Sequence, residues 1–139
     1  YTLLLAKKPS VRVLDLKLAE TWNKFSGGTK IPYLGVAAHA DWVAANPDAV
    51  AKLYRTYKQA AEWVAKNPDK AAALIAAKAS AEDKKSIAAL IRANERLGMN
   101  VEGADEQKKE IEAVYRAGIE TGYLKSMPSA VTVYSKPLK

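Results

Sequence analysis

Apolar positions recur along this chain in two rhythms. The longer and clearer one is helical. After Asn46-Pro47-Asp48, the residues Val50, Leu53, Tyr54, Tyr57, Ala61 and Val64 fall at i, i+3, i+4, i+7, i+11 and i+14, one stripe over five turns. Asn at the cap, Pro at the first helical position and Asp at the positive end of the dipole together open a helix. The same signal, Asn67-Pro68-Asp69, returns 21 residues later and opens a second helix carrying Ala72, Leu74, Ile75 and Ala79. Two copies make a helical hairpin rather than a solenoid, which needs three or more. Ser80, with Asp83 at the capping-box position, starts a third helix whose stripe is Ile87, Leu90, Ile91 and Leu97 and whose stop is Gly98. A fourth runs from about Ala104 to Thr121 with Ile111, Val114, Tyr115, Gly118 and Ile119 on one face, and ends at Gly122.

The second rhythm is shorter. Residues 11–16, Val-Arg-Val-Leu-Asp-Leu, alternate for part of their length and predict a strand. Residues 31–38, Ile-Pro-Tyr-Leu-Gly-Val-Ala-Ala, form an apolar run of strand length that Pro32 restricts to a sheet edge or strand start. Between them, Leu18, Trp22 and Phe25 mark a short helix that Gly27-Gly28 stops. Residues 40–45 read as one or two helical turns, and 123–139, with Pro128 and Pro137, as an irregular tail. The expected organisation is a strand-helix-crossover strand segment over 1–38, a helical region over 40–122 and the tail. The expected fold class is α/β and helix-rich: four main helices with one to three short strands, the helices packing on a sheet.

Composition narrows the function. With 139 residues, 49% of them hydrophobic and 27% charged, the chain can build a core. It has no cysteine, so disulfides and thiolate metal sites are excluded. No apolar run reaches the ~18 residues of a membrane span. The opening run Tyr1-Thr2-Leu3-Leu4-Leu5 has no methionine and reads as the interior of a longer protein. The net charge of +7 permits anionic partners, but Lys and Arg are interspersed with acids along the helices, the pattern of solvated helix faces.

Catalytic signals are missing. His39 is the one histidine, with only Asp41 near it and no nucleophile, and it reads as a surface or structural residue. The acidic pairs Glu82-Asp83 and Asp105-Glu106 sit in first turns, where the helix dipole accounts for them. No phosphate loop, zinc spacing or dinucleotide fingerprint occurs. The sequence therefore predicts no enzyme and no cofactor. Tyr54, Tyr57 and Tyr115 read as core, and Trp63 as a partly exposed packing residue. Tyr33, beside Pro32 and Gly35 at a strand end, is a candidate ligand contact as well as a packing residue.

The run from Ala45 to Ala76, with its two Asn-Pro-Asp helix starts and the Glu62-Trp63 between them, resembles the periplasmic solute-binding proteins of ABC importers for nitrate, sulfonates and taurine. The carboxy-terminal part of that family has a strand, a helix opened by Asn-Pro, and a second Asn-Pro-opened helix rich in alanine; here these correspond to 33–38, 46–66 and 67–78. Gly118 to Leu124 is similar to the close of the family's last helix, and the resemblance covers about residues 1–128. It implies the carboxy-terminal portion of a two-lobed periplasmic-binding-protein-like fold, located in the periplasm or anchored at the cell surface. It implies capture of a small anionic solute, delivery to an ABC permease, no contact with nucleic acid and at most a peripheral relation to the membrane. Its implied ligand contacts are Tyr1 and Thr2 at the start of the sequence and Tyr33, Leu34 and Gly35 at the crossover. Two readings compete: a basic helical nucleic-acid-binding module, expected to cluster Lys and Arg on one face, and a protein-interaction module, expected to expose an apolar patch.

Overall fold

The computed structural model describes residues 7–12, 14–28, 30–93 and 100–138. Among the described residues six helices follow one another: α1 (Leu18–Ser26), α2 (Ala40–Ala45), α3 (Pro47–Lys66), α4 (Pro68–Ile75), α5 (Ala81–Ala93) and α6 (Lys108–Glu120), with a final 3-10 turn at Ala130–Thr132. No strand occurs among the described residues. The expected α/β class, with strands at 11–16 and 31–38, is therefore corrected to all-helical. The physical reason is non-local. A helix satisfies its own backbone groups, whereas a strand exists only when a second one pairs with it. Residues 30–39 are irregular and make no ladder.

The chain divides into two compact units, residues 1–14 with 56–101 and residues 15–55 with 102–139, and α3 runs from the second into the first. The first unit is built on the α4–α5 hairpin, the substantial helix–helix contact among the described residues. Its core is Ala71 and Ala72 of α4 against Ala88 and Ile91 of α5, with Val64 and Ile87 packed alongside. Small residues at the centre let the two helices approach closely, so the core is narrow and contains no large, fully buried side chain. Asp83 N–H donates to Ser80 Oγ at 3.1 Å, the cap expected from the sequence. The Asp83 carboxylate turns instead to Lys7, whose Nζ lies 2.7 Å from Oδ1 and donates to Oδ2 at 2.9 Å. The hydrogen bond from Lys7, and then that from Ser80, holds this carboxyl below the usual carboxylate range. Arg92 pairs with Asp69 across the hairpin. Lys84 Nζ donates to the Ala77 carbonyl at 3.0 Å, and the chain between α4 and α5 turns there. The helix from Asn67 is shorter than its expected 67–78, ending at Ile75. Leu97 and Gly98 lie outside the described residues.

The second unit holds α1, the irregular segment 30–39, α2, the start of α3, and α6 with the tail. The rings of Trp22 and Phe25 of α1 lie 5.8 Å apart, tilted by 43°. Gly27, at φ 75°, ends α1 by donating to the Asn23 carbonyl, as its position predicted. α6 starts at Lys108, later than the expected Ala104, because residues 104–107 form a turn closed by Glu106 N–H donating to the Gly103 carbonyl at 3.1 Å.

The stripe of α3 is present as a pattern but poorly covered: no residue of this helix is buried. The expected core role of the three tyrosines is corrected accordingly. Tyr57 is 49% exposed, and Tyr54 and Tyr115 are half-buried. Trp63 is partly exposed at 42%, in keeping with its position beside the stripe.

Candidate functional site

Of the five sequence-derived ligand residues, the structure describes three: Tyr33, Leu34 and Gly35. Tyr1 and Thr2 lie outside the described residues. Tyr33 and Leu34 are 81% and 87% exposed, and a Cβ placed at Gly35 would meet nothing within 4 Å. They share one irregular segment, flanked by the exposed Ile31 and Val36, and no cleft closes over them. What this segment offers is backbone: Tyr33, Leu34 and Gly35 make no hydrogen bond among the described residues, leaving three successive N–H groups open to solvent or to an acceptor.

His39 is exposed and precedes α2 in extended conformation, its carbonyl accepting the Val43 N–H. Asp41, the one acidic neighbour of His39, accepts the backbone N–H of Trp42 through Oδ1. No group of three or more metal-ligating side chains exists among the described residues, and none of their helices is long and apolar enough to cross a membrane.

A concave surface does form at the carboxy end of α6. Val114, Tyr115, Ala117, Gly118 and Thr121 line it from the helix, and Tyr123 and Leu124 from the turn beyond, around a shallow, apolar cleft of about 470 Å³. Local chemistry builds it. Thr121 Oγ1 donates to the Ala117 carbonyl at 2.8 Å, and Gly122 takes φ 74°, a left-handed conformation that a side chain would strain. The reversed chain returns Leu124 N–H to the Gly118 carbonyl at 2.8 Å. Leu124 then lies over Gly118, where an added Cβ would stand 3.0 Å from Leu124 Cγ and Cδ1. Gly118 is thus the floor that a larger residue would fill. The sequence marked Gly118 to Leu124 as a helix close but not as a cleft. The available signal was a glycine inside an apolar stripe, followed four residues later by a stop glycine and a Tyr-Leu pair. The cleft suits a flat apolar group. Its lining carries no carboxylate, lysine or imidazole; its side-chain polar groups are the hydroxyls of Tyr115, Thr121 and Tyr123.

The two Asn-Pro-Asp junctions are the most regular polar feature. Each belongs to a longer repeat, Trp-Val-Ala-x-Asn-Pro-Asp, at 42–48 and 63–69. Asn46 stands at φ −130°, ψ 53° and Asn67 at φ −130°, ψ 54°. The side chains do not cap the helices that follow; Asn67 makes no such bond. Asn46 Nδ2 donates back to the Trp42 carbonyl at 2.8 Å and Asn67 Nδ2 to the Trp63 carbonyl at 2.9 Å, so each asparagine closes the helix before it. Its backbone carbonyl serves the helix after it, accepting Val50 N–H at 3.1 Å in one case and Ala71 N–H at 2.8 Å in the other. One residue ends one helix and starts the next.

The chain matches no known protein family, no curated protein and no solved structure.

Proposed function

We propose that this chain is part of the solute-binding component of an ABC import system, working in the periplasm or at the cell surface, without catalysis or cofactor. It captures a small anionic solute and passes it to a membrane permease. The observation that carries the proposal is the paired Trp-Val-Ala-x-Asn-Pro-Asp junction. Two copies of one seven-residue device, 21 residues apart and with matching backbone angles at their asparagines, support the resemblance of this run of sequence. The all-helical architecture of the described residues lends no support of its own.

A thermal-shift screen of the full-length protein against nitrate, taurine, other sulfonates and bicarbonate tests the proposal. A ligand at 100 times its Kd stabilises by about 2.7 kcal/mol. A shift with one of these classes supports the solute-binding role and names the cargo; no shift with any of them overturns it. A second reading, a protein-interaction module, is favoured by the exposed Ile31, Tyr33, Leu34 and Val36. It is the reading to adopt if the screen is silent and the Tyr33→Ser, Leu34→Ser variant loses a partner that the unaltered protein retains.

A further inference from the structure

The net charge is unevenly shared. The unit formed by residues 1–14 and 56–101 has 11 Lys and Arg against 5 Asp and Glu, so it carries +6 of the chain's +7. Part of that charge is tied down: Lys7 on Asp83, Arg92 on Asp69, and Lys84 on the Ala77 carbonyl. Lys66, Lys70 and Lys78 are exposed and form no ion pair among the described residues. They bracket Leu74 and Ile75, which are 71% and 66% exposed where α4 ends and the hairpin bends. Lys70 and Leu74, four residues apart, share the open face of α4, opposite the buried Ala72.

We propose that this hairpin bend docks on an anionic lipid surface, the lysines meeting headgroup phosphates and Leu74 with Ile75 entering the headgroup–acyl boundary. Charge complementarity makes the choice of occupant. Protein interfaces are depleted in lysine and enriched in arginine and aromatic residues, and this patch has lysine, two aliphatic side chains and no aromatic. Exposed aliphatic residues flanked along the chain by unpaired lysines match the composition of surfaces that lie in a bilayer interface. The docking stands independently of the solute-binding role.

Co-sedimentation with vesicles tests it. Binding is expected to vesicles containing phosphatidylglycerol and not to pure phosphatidylcholine, with the partition coefficient falling about fivefold for each of Lys66, Lys70 and Lys78 changed to Gln. It should weaken as salt shortens the screening length. Leu74→Ser with Ile75→Ser, at exposed positions and with unchanged circular dichroism, should also release the protein. Absence of binding to the anionic vesicles overturns the proposal. So does binding that the Leu74 and Ile75 changes leave intact, since simple charge attraction then accounts for it. Salt-sensitive retention on DNA or on an acidic protein, without vesicle binding, overturns it as well.

Discussion

The α4–α5 hairpin and the segment 30–39 are both rich in apolar residues, and they end in opposite conditions. In the hairpin, Ala71, Ala72, Ala88 and Ile91 find one another and are buried. In the segment, Ile31, Tyr33, Leu34 and Val36 find nothing and stay between 52% and 87% exposed. Hydrophobicity does not separate them. The difference lies in whether backbone hydrogen bonding is local. Each helix of the hairpin closes its own bonds and then needs only a neighbour for one face. The segment needs a partner for its backbone before burial of its side chains can begin.

Substitution at the two places should break the symmetry most sharply. Ile91→Ala removes the largest side chain of the hairpin core and is expected to cost about 2 kcal/mol or more. Leu34→Ala, an equal or larger truncation of an apolar side chain, should stay within about 0.5 kcal/mol. Urea denaturation of both variants reads the contrast. A Leu34→Ala loss as large as that of Ile91→Ala would mean that the segment is covered in solution, and the contrast between segment and hairpin would collapse.

The next effect lies at the turn after α6, where the partner is only six residues away. Gly118→Val drives a branched side chain into Leu124, already at the limit of approach from a bare Cβ. The expected loss is about 1–3 kcal/mol. Pairing it with Leu124→Ala should recover much of that loss, because the colliding atoms are gone, and the double-mutant cycle should show the coupling. Additive losses would mean that the cleft floor is not where Leu124 rests.

These cases show why some of the molecule was legible in sequence and some was not. The helix starts at Pro47 and Pro68, the Ser80 cap and the stops at Gly27 and Gly122 are all decided within about four residues, and each appears where the pattern placed it. The strands at 11–16 and 31–38 depended on a partner that short-range pattern does not reveal. The expected burial of Tyr57 failed for the same reason: a stripe states which face would be buried, not that something buries it. Of the candidate site, Tyr33, Leu34 and Gly35 read as ligand contacts on a crossover strand, and they lie on an exposed irregular segment instead. The α6 cleft was missed because Gly118 read as one position of an apolar face and Gly122 as punctuation, and only their joint geometry makes a floor and a return.

The asparagine junctions sharpen the comparison, because the same device sits in both units. Being local, it should contribute equally in each. Asn46→Ala and Asn67→Ala are each expected to cost about 1 kcal/mol through loss of the side-chain donor to the Trp carbonyl. Aspartate discriminates the mechanism. If these residues capped the following helix as acceptors, Asn→Asp would be neutral or stabilising. As donors to the preceding helix they should lose stability on becoming Asp, since a carboxylate has no hydrogen to give and repels the carbonyl end of that helix. Thermal melts of Asn67→Asp at or above the unaltered protein would remove the donor assignment.

The smallest effect concerns two ion pairs that differ in reach. Lys7–Asp83 joins positions 76 residues apart, and Lys17–Asp15 joins near neighbours. Both carboxyls are held below their ordinary range, Asp83 by hydrogen bonds from Lys7 and then Ser80, Asp15 by those from the Lys17 side chain and then its backbone N–H. A carboxyl whose pKa is lower in the folded state binds fewer protons there than in the unfolded chain. It therefore contributes stability that is present above the ordinary carboxylate pKa and lost as pH falls through the lowered folded value. The local pair requires little of the fold: Asp15 accepts the N–H of a residue only two positions away, a contact that an unfolded chain can also make. Its contrast between folded and unfolded states should be the weaker. Melting at pH 6 and pH 3 for Asp83→Asn and Asp15→Asn reads this directly. Asp83→Asn should flatten the acid loss more than Asp15→Asn does, and equal flattening would mean that the long-range pair gives the hairpin no more than a neighbour contact gives its own turn.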